Sequence, residues 1–221
     1  MNTASQKPLS STEQKILAAA RQEFINSGLS GARLHAIADR AGVNKALLHY
    51  YFRSKQRLYE SVLENILSHI LSNLQAQVKI DDKETDIRSL VRTIVTVYIT
   101  TFQNNPDFPR MMGRELVDGG THIPAITEVI MRTFGHLPRR IMQTLQTGMK
   151  AGRLRTFNPM QVFMNIMGMC IVTFLAAPLI KTMHQKIMGS ELEFTADFYA
   201  QRIDIITEMT CNGLIIGEKN K

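Results

Sequence analysis

The chain has 221 residues, 44% of them hydrophobic and 20% charged, enough to bury a core of ordinary size without a disulfide or metal staple. Its formal net charge of +7 is uneven, with nine Lys or Arg against four Asp or Glu in residues 1–60, and 17 against 15 in residues 61–221. An excess of charge lying mostly in the first quarter suits a local nucleic-acid contact and argues against a protein that coats nucleic acid over its whole surface.

Residues 1–9 read as a polar arm in which Lys7 can brush phosphate, and no apolar targeting segment opens the chain. Ser10-x-x-Glu13 is a capping box, followed by a helical stripe of Ile16, Leu17, Ala20, Phe24 and Ile25 that ends at Ser27-Gly28. Leu34, Ile37 and Ala38 recur at helical spacing. Ala41-Gly42-Val43 breaks that helix, and Asn44 caps a third carrying Leu47, Leu48 and Phe52. Two helices joined by a short glycine-containing turn make a helix-turn-helix, whose second helix enters the major groove. The positions left exposed are Asn44, Lys45, Ala46, His49 and Tyr50, with His35 on the same side from the preceding helix. Ser54 then caps a fourth helix with Lys55 in its first turn. Free backbone N–H groups, a positive dipole end and an ammonium there would meet one phosphate.

Leu58, Val62, Ile66, Ile70, Leu71 and Leu74 continue this helix from 54 to about 78, as a lever between the DNA-binding end and the rest. Residues 81–84 read as a loop. The next helix, over 85–103, carries Leu90, Ile94, Val97, Tyr98 and Phe102. A shorter one over 106–117 stops at Asp118-Gly-Gly, with Arg110, Arg114 and Glu115 read as solvated charges in preference to an anion contact. Pro124 opens a helix that runs to Gly152, kinked near Gly135 by Pro138. Asn158-Pro159 begins an uncharged helix ending near Pro178, and residues 193–217 supply the last, with no strand pattern of convincing length anywhere. The uncharged stretch 156–180 is interrupted by Pro159, Asn165, Thr173 and Pro178. It reads as a buried or dimer-forming helix, not a membrane span.

Eleven of the 13 methionines lie between Met111 and Met188. Unbranched, polarizable Met side chains repack around ligands of different shape, so Met111, Met112, Met131, Met142, Met164 and Met167 are candidate lining for an apolar pocket. Loose core filling is the competing account. No GxSxG, P-loop, HExxH or Glu-x-x-His pair marks an enzyme, and no cofactor is expected. His122 and His136, fourteen apart and without a carboxylate at ligand spacing, make no metal site. Cys170 and Cys211 lack CxxC or Cys/His spacing and read as buried free thiols in a reducing cytosol.

The run Val43-Asn-Lys-Ala-Leu-Leu-His-Tyr-Tyr-Phe-Arg-Ser-Lys-Gln-Arg-Leu58, preceded by Ile37-Ala38 and Ala41-Gly42, resembles the DNA-binding domain of the TetR family of transcriptional regulators. The resemblance covers about residues 12–60. It implies that Lys45, Ala46 and His49, with His35, read bases, and that Tyr50, Tyr51 and Lys55 hold phosphates. Three positions depart from the family pattern: Leu47 replaces a hydroxyl residue, His49 a tyrosine and Arg33 a threonine. Leu47 can meet a thymine methyl, and Arg33 can restore the lost phosphate contact.

The expected protein is all-α, with an N-terminal three-helix helix-turn-helix domain over 10–55. A larger helical ligand-binding and dimerisation domain follows over 56–221. It would act in the cytoplasm as a homodimer on a palindromic double-stranded DNA operator, as a repressor answering to a small, mostly apolar effector. The resemblance also implies a four-helix dimer interface from the last two helices of each subunit. A helical protein-binding adaptor, its motif degenerate at Leu47 and His49, is the alternative.

Overall fold

The computed structural model describes residues 9–75, 86–135 and 137–216, without the side chains of 69–75, 133 and 134. The described residues form eleven helices: α1 Ser11–Gly31, α2 Leu34–Ala41, α3 Lys45–Phe52, α4 Lys55–Gln75, α5 Ile87–Asn104, α6 Asp107–Val117, α7 Ile123–Phe134, α8 Leu137–Lys150, α9 Pro159–Leu175, α10 Ala177–Met188 and α11 Ala196–Leu214. The expected all-α fold class is what the chain has. Lys7, the loop 81–84, His136, the side chains of Ile70, Leu71, Leu74 and Phe134, and the far end of the long fourth helix lie outside the described residues.

The helices divide into two compact units, one of residues up to His69 with Met111–Val129, the other of Ile70–Arg110 with Ile130 onwards. In the first unit α1 starts on a full capping box: Ser10 Oγ accepts from the Glu13 N–H at 3.2 Å and the Ser10 N–H donates to Glu13 Oε2 at 2.8 Å. Its stripe of Ile16, Leu17, Ala20 and Phe24 is buried, together with Ile37 of α2, Leu48 and Phe52 of α3 and Leu58 and Val62 of α4. α1 does not stop at Ser27-Gly28. Gly28 takes φ 68°, ψ 177°, which bends the chain, and a further turn follows to Gly31.

In the second unit α5 packs between α9 and α11. Val91, Val95, Ile99, Cys170, Ile206 and Cys211 are almost fully buried there, and the Phe174 ring stacks on Tyr199 at 5.5 Å. Ion pairs of Arg88 with Glu208 and of Arg92 with Asp204 join α5 to α11 at the surface. Arg202 ties α11 to α9, donating to Thr173 Oγ1 and to the Met169 carbonyl, both at 3.0 Å. Leu154 and Ile215 make an isolated antiparallel bridge.

Two further expected boundaries are corrected. The helix expected from Pro124 to Gly152 is two helices, because Gly135 takes φ 53° and Pro138, one residue into α8, has no N–H to continue the earlier ladder. Pro178 does not close the uncharged helix. It stands in the first turn of a further helix, α10, where a missing N–H costs nothing. α10 buries none of its residues, and Leu179 and Ile187 are 62% and 71% exposed. No single helix among the described residues is long and apolar enough to cross a membrane. α9 and α10 are so only taken together, and they bend by 69° at their break.

Candidate nucleic-acid interface

The geometry of the interface begins with the α2–α3 turn. Gly42 takes φ 66°, ψ 35°, a left-handed conformation that closes α2 with its N–H on the Ala38 carbonyl. Asn44 then caps α3, its Oδ1 accepting from the Leu47 N–H at 2.7 Å. Leu48 and Phe52 anchor α3 inward, 1% and 8% exposed. The opposite face presents Lys45, Ala46, His49 and Tyr50, all exposed, with Tyr50 at 66%. The Tyr51 ring, half-buried, meets Tyr50 edge-on at 5.4 Å. His35 on α2 is exposed as well.

Arg33 stands at the N-cap of α2 with an exposed side chain, and no side chain caps that helix. Its backbone N–H donates to Glu23 Oε1 at 3.3 Å. Lys55 is half-buried. Its ammonium donates to the Ser30 carbonyl at 3.1 Å and to the Ala32 carbonyl at 3.2 Å, so two of its three donors hold the end of α1. Ser54 caps α4 as expected, with Oγ accepting from the Arg57 N–H at 3.1 Å.

Between α3 and α4 the chain turns on Arg53, at φ 59°, ψ −44°. The Ser54 N–H reaches the Phe52 carbonyl at 2.6 Å, closing a three-residue γ-turn around it. Among the described residues Arg53 is the one non-glycine with positive φ. Such a conformation costs about 1–3 kcal/mol.

A buried polar cluster in the same unit leaves no mark in the local sequence pattern. Glu115, 4% exposed, accepts from the Tyr59 hydroxyl at 3.1 Å and from the His122 N–H at 2.6 Å. The His122 Nδ1 lies 3.1 and 3.2 Å from its two carboxylate oxygens. Glu115 is therefore not the solvated charge expected beside Arg110 and Arg114. It joins α4, α6 and the start of α7. Burial first, then the Glu115 carboxylate, push the Tyr59 phenol well above its ordinary value.

The candidate methionines are spread. Met111 is buried and Met112 half-buried in the first unit, while in the second Met142 and Met167 are half-buried and Met131 and Met164 are 49% and 52% exposed. Two shallow concavities of about 640 Å³ lie in the first unit, one along α1 and α2 by Lys15 and Arg40, the other by Leu9, Arg21 and Val62. Neither is lined by methionine.

Residues 16–62 match the family model of bacterial regulatory proteins of the tetR family, and residues 88–207 match that of the tetracycline-repressor-like C-terminal domain. The chain belongs to the TetR family. The family is one of DNA-binding transcriptional regulators and not of enzymes. Among TetR relatives, the HTH-type transcriptional regulator RutR of Escherichia coli K12 is 46% identical over 57 residues, 26% of this chain and 27% of RutR. The HTH-type transcriptional activator FasR of Mycolicibacterium smegmatis is 45% identical over 49 residues, 22% of each chain. The chain thus matches about a quarter of the length of these relatives. Two solved structures share the TetR fold over nearly their whole length: SCO4942 of Streptomyces coelicolor (TM-score 0.66, 19% identity, 92% of this chain and 98% of that one) and the fatty acid degradation regulator FadR of Bacillus halodurans (TM-score 0.64, 16% identity, 94% and 98%).

Proposed function

We propose that the chain is a ligand-responsive repressor that binds a near-palindromic DNA operator as a homodimer in the cytoplasm. The observation that carries this reading is the α3 face of Lys45, Ala46, His49 and Tyr50, exposed on a helix pinned inward by Leu48 and Phe52. Lys45, Ala46 and His49, with Asn44 at the helix start and His35 from α2, are proposed to meet base edges. Arg33, Tyr50, Tyr51 and Lys55 are proposed to hold phosphates. Residues 10–55 form the proposed DNA-binding domain and 56–221 the regulatory and dimerisation domain.

One such helix offers few base contacts, each worth about 1–3 kcal/mol. Specificity then calls for two copies about 34–36 Å apart, on successive major-groove faces. Exposed apolar side chains on the later helices, Val172, Leu175, Leu179, Ile205 and Met209, support association with a second copy. The half-buried Met142 and Met167 support a small, mostly apolar effector in the second unit. The effector acts by differential affinity for the DNA-competent conformation, a coupling of about 1–3 kcal/mol.

Fluorescence anisotropy on DNA flanking the chain's own gene, against scrambled DNA at two salt concentrations, tests the reading. A preference of about a thousandfold with a steep salt dependence is expected. Equal, salt-insensitive signals on both DNAs would favour the protein-binding adaptor.

A further inference from the structure

The turn at Arg53 carries an inference about the DNA interface that goes beyond the residues assigned above and rests on the reading that this chain binds DNA. Ala46, His49, Tyr50 and Arg53 follow one another at i, i+3, i+4 and i+7, and all four are exposed. Arg53 therefore ends the stripe that α3 turns outward. Its backbone N–H donates to the His49 carbonyl at 2.9 Å, and its own carbonyl lies 3.2 Å from the His49 Nδ1. Its guanidinium lies 6.0 Å from the centre of the Tyr50 ring, and no carboxylate pairs with it among the described residues.

Glycine would adopt the backbone of this turn without strain, whereas an L side chain raises its energy. Among the described residues the guanidinium returns little to the fold, because what it faces is an exposed ring 6.0 Å away. The C-terminal end of α3 also carries the partial negative charge of its last carbonyls, which repels a phosphate. A cation fixed there reverses that sign. The planar fork of Arg can take two phosphate oxygens at once, and the Tyr50 ring stands within cation–π reach of it.

We propose that Arg53 is a phosphate clamp of the DNA interface, held in place by Tyr50 and by the γ-turn between α3 and α4. The clamp is sequence-independent, so a short duplex of arbitrary sequence at low salt suffices as probe. The variants are Arg53→Gly and Arg53→Lys in the full chain. Arg53→Gly should resist urea at least as well as the parent chain, yet bind the duplex about fivefold or more weakly, with the salt slope lower by about one. Arg53→Lys should recover the salt slope but not the full affinity, because a point charge lacks the fork. Parent-like affinity and salt slope in Arg53→Gly would overturn the clamp and leave the DNA-binding reading standing. Absence of duplex binding by the parent chain would overturn both.

Discussion

The Tyr59 hydroxyl donates to Glu115 Oε2 at 3.1 Å across 56 positions of sequence, tying the helix that leaves the helix-turn-helix to α6. A buried polar group costs free energy unless it is hydrogen-bonded, and Glu115 accepts from the Tyr59 phenol and the His122 backbone N–H, with the His122 Nδ1 3.1 Å away. Tyr59→Phe should cost about 1.5–3 kcal/mol. Glu115→Leu should cost more, about 2–6 kcal/mol, since it strands the phenol and the His122 N–H at about 1–3 kcal/mol each. Urea denaturation reads both. A Tyr59→Phe chain as stable as the parent would remove this bond from what holds the unit together.

Stability should be lost at alkaline pH. Burial pushes the Tyr98 phenol up from 10.0 to about 12 and the Cys170 thiol up from 9.0 to about 12, and raises Tyr59 as well. A neutral acid whose folded pKa lies above its unfolded one holds its proton more tightly when folded. Its contribution is complete below the unfolded value and is lost as pH climbs towards the folded one. Resistance to urea should therefore be flat up to about pH 9 and fall between pH 9 and 12. Tyr98→Phe should flatten the part of the fall above pH 10. An unchanged profile in that variant would refute the assignment.

Arg33→Thr separates the fold from the interface. α2 has no side-chain cap, and a threonine at this N-cap offers its hydroxyl to an open N–H. The fold should gain about 0.5–2 kcal/mol, while DNA binding weakens and its salt slope falls by about one. Thermal melts and anisotropy measure the two sides. Unchanged DNA binding would take Arg33 out of the phosphate set.

Lys55→Ala should lower both stability and DNA affinity, because the ammonium holds the Ser30 and Ala32 carbonyls and retains one donor. A loss of about 0.5–3 kcal/mol in stability is expected, together with a salt slope lower by about one. The protein-binding adaptor would lose the stability and no DNA affinity.

What could be read from residues alone follows how far apart the interacting groups stand. The Ser10–Glu13 box, the Asn44 cap and the Gly42 stop each act within four residues, and each stands where the spacing placed it. Pro178 misled because the same residue that ends one helix opens another, and only packing distinguishes the two. Glu115 misled more deeply. Beside Arg114 it looks like a solvated charge, and the phenol that receives it lies 56 residues earlier, where no local pattern points. Arg53 was within reach, since it continues the spacing of Ala46, His49 and Tyr50, but its backbone conformation leaves no mark in the sequence. The family match covers the helix-turn-helix and most of the later helices without assigning roles to single side chains.

Cys170 and Cys211 are both fully buried, and both lie in the second unit. Thiol reagents attack thiolates, and burial makes thiolates scarce here. Alkylation must then wait for the surrounding helices to part, so its rate times the opening of that unit alone. The first unit has no cysteine and stays silent. The native chain thus carries its own stopwatch for one half of the molecule, ready to be run with and without a candidate effector and without adding a label.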